Sequence, residues 1–173
     1  MSEELIDVLT VEGEPTGACK TKAAIHRDGD WHRAAHVWIV GSDGRVLLQR
    51  RSLEKENWPG LWDVSVAGHV SAGESAKEAV IREASEELGL ELSASELVPL
   101  TIVRASRVLR DGRYIDNELH EVFLLRRDVD LSTLTLQRGE VDGAVWASVA
   151  ELQTRGDLVP HAEEYAALTA ALA

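Results

Sequence analysis

Residues 68–90 read GHVSAGESAKEAVIREASEELGL, and the spacing inside this stretch decides the fold. Ser75 with Glu78 three residues later is a capping box, in which each side chain satisfies a backbone N–H at a helix start. Gly89 suits the left-handed residue that closes a helix. Between them Ala76, Ala79, Val80, Ala84 and Leu88 keep helical spacing, so a helix over 75–89 is predicted. Glu83, Glu86 and Glu87 lie at i, i+3 and i+4, which makes them neighbours roughly 5–6 Å apart on one face. Three carboxylates there repel one another by about a few tenths of a kcal/mol per pair. A hard cation, Mg²⁺ or Mn²⁺, reverses that cost because it prefers carboxylate and water oxygens. An isolated E-x-x-E-E is more often a solvated acidic stripe. Here the flanks matter: Gly68 precedes a loop, Glu74 lies just ahead of the helix, and Arg82 directly precedes the cluster.

Outward from this helix, Ala35, Val37 and Ile39 alternate with His36 and Trp38, a strand pattern. Ser42-Asp43-Gly44 turns the chain into Val46-Leu47-Leu48, and Trp58-Pro59-Gly60 marks a turn before an extended run over 63–67. Further strands are predicted over 97–103, 120–125 and 141–146, with Asp111-Gly112 as a turn between longer arms. Ser148 and Glu151 form another capping-box pair, and Pro160–Leu172 is predicted as a closing helix. Strands and helices mix without regular βαβ alternation. The expected class is α/β in the α+β sense, a mixed β-sheet sandwiched between α-helices.

With 173 residues and no repeat, low-complexity tract or linker, the chain is expected to form a single domain over 1–173. Its core would run from about 30 to 165, after an N-terminal extension over 1–29. Hydrophobic residues make up 45%, so a core needs no staple. The single cysteine, Cys19, cannot form an intrachain disulfide and suits a reducing cytosol. Met1-Ser2-Glu3-Glu4 is acidic where a secretory signal would be basic, and no long apolar run follows. A cytoplasmic protein without a membrane partner is expected. The formal charge of −12, from 30 acidic and 18 basic side chains, argues against bulk nucleic-acid binding. It leaves room for a small anionic substrate held by a few local cations and a metal.

The 23-residue stretch resembles the box of the Nudix hydrolases, G-x5-E-x7-R-E-U-x-E-E-x-G-U with U apolar. Gly68, Glu74, Arg82, Glu83, Glu86, Glu87 and Gly89 fall in register, with Leu90 at the last apolar position and the small Ala84 at the other. The resemblance implies that Glu83, Glu86 and Glu87 bind a divalent metal and that one of them serves as base. It implies a structural role for Gly68 and Gly89, and a Glu74–Arg82 pair that holds the loop against the helix. The reaction implied is hydrolysis of a diphosphate, in which a cation neutralises substrate charge while water attacks phosphorus.

Beyond the box the chain is similar to isopentenyl-diphosphate isomerase, a Nudix-fold relative, over roughly 22–146. That resemblance rests on His26 and His32, on QRRSLEKENWPGLWD, on Ala67-Gly68-His69 and on Asp116-Asn117-Glu118. It implies a second metal site from His26, His32, His69, Asp116 and Glu118, and diphosphate contacts from Lys22, Arg51 and Lys55. Ala67 stands where the isomerase needs a cysteine, and a methyl group can neither donate nor accept a proton. The full acidic set is that of a hydrolase. The expectation is therefore a hydrolase from the isomerase-like branch, with catalytic Glu83, Glu86, Glu87 and Glu118, acting on a nucleoside- or isoprenoid-type diphosphate. Isomerase chemistry and a non-catalytic diphosphate sensor are the alternatives.

The other candidates are weaker. Glu140 is a candidate extra base or a loop charge. Arg104, Arg107, Arg110 and Arg113 either guard the substrate entrance or decorate a solvated hairpin. Trp58, Trp62 and Trp146 read as core or rim, and Trp31 and Trp38 as core before pocket. A homodimer is compatible with the general frequency of symmetric oligomers.

Overall fold

The computed structural model describes residues 3–173. The part of the N-terminal reading that concerns Met1 and Ser2 lies outside the described residues. In chain order the elements are β1 (Leu5–Leu9), β2 (Pro15–Thr21), α1 (Lys22–Asp28), β3 (His32–Val40), β4 (Val46–Arg51), β5 (Trp62–Asp63), β6 (Val66–His69) and α2 (Ala76–Leu88). Then follow β7 (Val98–Leu109), β8 (Tyr114–Arg126), β9 (Val141–Ala147), α3 (Val149–Thr154) and α4 (Ala162–Leu172).

A seven-stranded mixed sheet is built around β3, which runs parallel to β8 along nine residue pairs from His32↔Glu118 to Val40↔Arg126. Along its other edge β3 pairs antiparallel with β6, and β7 extends the sheet beyond β8. The turn at Ser42–Gly44 lies where expected, but β3 and β4 meet only at Val40↔Val46. The main partner of β4 is β9. The extended run expected over 63–67 is two short strands, because β5 pairs with β4 and β6 with β3.

Both faces of the sheet are covered. Ala35, Val37 and Ile39 point to the face that packs Ala76, Ala79, Val80, Ala84 and Leu88 of α2. The alternate residues Trp38 and Val40 point to the opposite face, where Leu152 of α3 and Leu168 of α4 close a second core. This is why β3 is buried at nearly every position, polar ones included: a strand covered twice has no solvent side. The fold is thus the expected mixed sheet between helices.

Residues 5–28, where no element was predicted, form the antiparallel β1–β2 hairpin and α1. Ile6, Val8 and Ile25 make a small core of their own. The hairpin is tied to the loop before α2 through the Ala72 amide on the Leu5 carbonyl and the Gly73 amide on Asp7. Both capping boxes are formed, at Ser75/Glu78 and Ser148/Glu151. Among the described residues no helix is long and apolar enough to cross a membrane.

Candidate active site

The sequence-predicted carboxylates of α2 open on a cleft of about 1170 Å³ that Glu83, Glu86 and Glu87 all line. Glu86 is half exposed, whereas Glu87 is buried to 8% exposure and accepts a hydrogen bond from Gln49 Nε2 at 2.9 Å. Burial, reinforced by the neighbouring Glu83 charge, pushes the Glu87 carboxyl up to about 8. Burial raises Glu83 as well, against the pull of Arg82. These acids are packed toward one another at an energetic cost, and a cation in the cleft would offset it.

Arg82 braces the cluster. Its Nε and Nη2 donate to the two Glu74 oxygens, each at 3.0 Å, its Nη1 donates to Glu83 at 2.7 Å, and its Nη2 reaches the His69 carbonyl at 3.2 Å. Glu74 also accepts from the Ser71 amide, so the loop is fastened to the helix at both ends. Gly68 is needed for a steric reason: a Cβ there would lie 2.4 Å from the side chain of Glu83. Gly89 closes α2 at φ 66°, and its amide bonds back to the Ser85 carbonyl.

The second group of predicted ligands assembles through strand register. His32 opens β3 directly opposite Glu118 on β8, and His69 ends β6 opposite Ala34. His26 arrives from α1, whose left-handed C-terminal residue Gly29 turns the chain back so that the His26 and His32 rings lie 4.7 Å apart. One ligand atom each from His26, His32, His69 and Glu118 lie within 4.8 Å of one another. Asp116 adds an oxygen 3.2 Å from His26 Nε2.

The tautomers follow from the backbone. His26 Nδ1 donates to the Lys22 carbonyl at 2.7 Å and His32 Nδ1 to the Asp30 carbonyl at 3.0 Å. Both Nε2 lone pairs then face inward, and these atoms and Asp116 Oδ1 are buried without a hydrogen-bond partner. Orphaned buried acceptors converging on one point fit a metal ion, and imidazole with carboxylate is a donor set for Mn²⁺ or Zn²⁺.

The three predicted cations line the same cleft, as does Ala67. Arg51 is held by Asp63 at 3.0 Å and by the Asn57 carbonyl, and Lys55 pairs with Glu140. Lys22 is the first residue of α1. Arg107, Arg110 and Arg113 border the cleft, but Arg104 does not: its guanidinium stacks on Trp31 at 4.5 Å. Trp58 lines the cleft, Trp38 is fully buried, and Trp62 and Trp146 pack against the two cores. Cys19 is exposed on β2 and donates to Asp7.

Several residues that the sequence analysis did not single out join this region. Tyr114 stacks on His26 with centroids 4.1 Å apart, and Gln49 holds Glu87. His36, His120, His161, Glu164 and Asp63 form a buried polar group beside the histidine site. His120 Nε2 donates to Glu118 at 2.8 Å. Burial works against a charge on His120, but Glu118 and Glu164 push it up to about 10. The signals were present: His36 falls in an apolar strand, and His161-x-x-Glu164 places both side chains over one helical turn at the start of α4.

Two acidic and imidazole clusters reached from one cleft, on a mixed sheet between helices, define the class. The sequence pattern of the NUDIX domain matches residues 30–169. The chain therefore belongs to the Nudix family, among the Nudix-type hydrolases. It is 42% identical over 154 residues to Nudix hydrolase 3 of Arabidopsis thaliana, which covers 87% of this chain but only 20% of that protein. It is 35% identical to an isopentenyl-diphosphate Delta-isomerase of Escherichia coli, over 94% of this chain and 86% of the isomerase. The crystal structure of DR0079 from Deinococcus radiodurans superposes with a TM-score of 0.73 at 25% identity, covering 94% of this chain and 98% of that one.

Proposed function

We propose that this chain hydrolyses a diphosphate linkage in a small nucleoside- or isoprenoid-type substrate, using Mg²⁺ or Mn²⁺. The observation that carries this reading is the convergence of Glu83, Glu86 and Glu87 with Lys22, Arg51 and Lys55 on one cleft. A bound divalent cation neutralises diphosphate charge and acidifies water. In this reading Glu83, Glu86 and Glu87 hold that cation on α2, a rigid support. His26, His32, His69, Asp116 and Glu118 hold a second ion. Lys22, Arg51 and Lys55 grip the diphosphate oxygens and orient phosphorus. A carboxylate of the set Glu83, Glu86, Glu87 and Glu118 takes the proton from the attacking water. Arg82, Glu74, Gly68 and Gly89 keep the ligands in place. The substrate is a small molecule and the compartment is the cytoplasm, which the lone cysteine fits.

The test is release of phosphate or monophosphate from a panel of nucleoside and isoprenoid diphosphates with Mg²⁺ or Mn²⁺. Glu83→Gln and Glu87→Gln are expected to lower turnover by roughly 10²-fold or more while leaving the circular dichroism spectrum unchanged. Wild-type rates in both variants would refute the assigned metal site. The 35% identity to isomerases favours a second reading, double-bond isomerisation. Ala67 argues against it, since no proton-transfer group stands there. Proton exchange into isopentenyl diphosphate would reveal it. Tight metal-dependent binding without turnover across the panel would favour a sensor instead.

A further inference from the structure

All six histidines of the chain fall into two groups of three, each completed by a glutamate, and every member of the second group is buried. The first group, with His26, belongs to the cleft. His36 and His161 of the second group border the same cleft and His120 donates to Glu118, but the proposed hydrolysis gives His36, His120, His161 and Glu164 no role of their own. This second group lies on the face of the sheet that α4 covers. His36 and His120 point there from β3 and β8, and His161 and Glu164 come from the residue capping α4 and from its first turn.

The four side chains converge on one point. Glu164 Oε1 lies 2.9 Å from His36 Nδ1, 2.9 Å from His120 Nδ1 and 3.7 Å from His161 Nδ1. Tetrahedral zinc with bonds of about 2.0–2.1 Å separates its ligand atoms by roughly 3.3–3.4 Å, and the three Glu164 spacings lie within a few tenths of an ångström of that. One ligand atom from each of the four residues lies within 4.8 Å of the others.

The outer contacts point the same way. His161 Nε2 donates to Asp63 at 2.9 Å and His120 Nε2 to Glu118 at 2.8 Å. An imidazole that gives its far N–H to a carboxylate presents a lone pair on the near nitrogen, the usual support of a metal-bound histidine. That places lone pairs of His120 and His161 against a carboxylate, an arrangement that only a proton or a cation between them makes favourable. The contacts of His36 and His120 with Glu164 Oε1 satisfy part of it. His161 Nδ1 and Glu164 Oε2 still have no partner, although both side chains are more than nine-tenths buried. An enclosed polar group left in that state is costly.

We propose that His36, His120, His161 and Glu164 bind a structural divalent transition metal of the zinc type, separate from the ions of the cleft. Three imidazoles and a carboxylate form a borderline-soft set that suits Zn²⁺ better than Mg²⁺. With four protein ligands and no open position, the ion ties α4 to β3 and β8 and takes no part in substrate chemistry. A separate cavity of about 240 Å³, lined by His120, His161 and Glu164, gives it a route in.

The proposal is tested on the full chain, stripped with chelator, reloaded with Zn²⁺ and desalted. Crystals of this wild-type protein should show an anomalous peak at the zinc edge between the four side chains. His161→Gln should carry one zinc per chain fewer than wild type by elemental analysis, whereas His69→Gln should keep this ion. Zinc should also raise the melting temperature of wild type more than that of His161→Gln. No anomalous peak between these four residues at saturating zinc would overturn the proposal, and so would equal zinc content in wild type and a folded His161→Gln. The crystal of the wild type decides the matter even where the variant fails to fold.

Discussion

Gly68 shows how a single missing methyl group can serve the site. Its backbone lies directly under Glu83, so Gly68→Ala must push the carboxylate aside or move β6. Glu83 is gripped by Arg82 and largely buried, which leaves it little room to yield. The expected cost in stability is about 1–3 kcal/mol, as for overpacking elsewhere. Turnover should fall as well, because the displaced group is a proposed metal ligand. Urea denaturation and steady-state kinetics on the same variant separate the two effects. At this scale the box was legible in the sequence, since seven fixed identities at fixed spacing leave little freedom. The partners of those residues were not: Gln49 lies 38 positions from Glu87, and nothing local announces their contact.

At the scale of elements, the Arg82 guanidinium fastens the loop between β6 and α2 to the helix. Burial works against ionisation of Glu74, yet Arg82 and the Ser71 amide keep its carboxyl below the ordinary range. A carboxyl with a depressed folded pKa adds stability above its unfolded pKa, about 4.3, and loses it as the pH falls through the folded value. Glu74→Gln should therefore be less stable than wild type at neutral pH, by on the order of 1 kcal/mol. The difference should shrink as the medium is acidified through the depressed pKa of Glu74, below which both chains carry a neutral group at this position. Thermal melts across a pH series measure this. Helix α2 was predictable because its cap, apolar stripe and stop agree. The elements β1, β2 and α1 were not predicted: β2 is mostly exposed and shows no clean alternation, and α1 has only seven residues. Their stability comes from docking, which a local pattern does not encode.

For the molecule as a whole, the site is stitched from distant parts of the chain. The N-terminal hairpin and α1 deliver Lys22 and His26, the sheet delivers His32, His69 and Glu118, and α2 delivers the glutamates. Ile25, a fully buried residue of α1 packed with Ile6 and Val8, anchors the first delivery. Ile25→Ala is expected to cost about 2–5 kcal/mol and to weaken metal binding through the neighbouring His26. Calorimetric titration with Mn²⁺ should show lower affinity in this variant, while a distant core substitution of equal cost should leave it unchanged. The closing helix has its own consequence for how the protein is made. In synthesis α4 leaves the ribosome after every strand of the sheet. Until it docks, His36 and His120 lie on an uncovered face and water solvates them. Arrival of Glu164 and His161 expels that water, so a helix translated after the whole sheet also seals a strongly polar part of the interior.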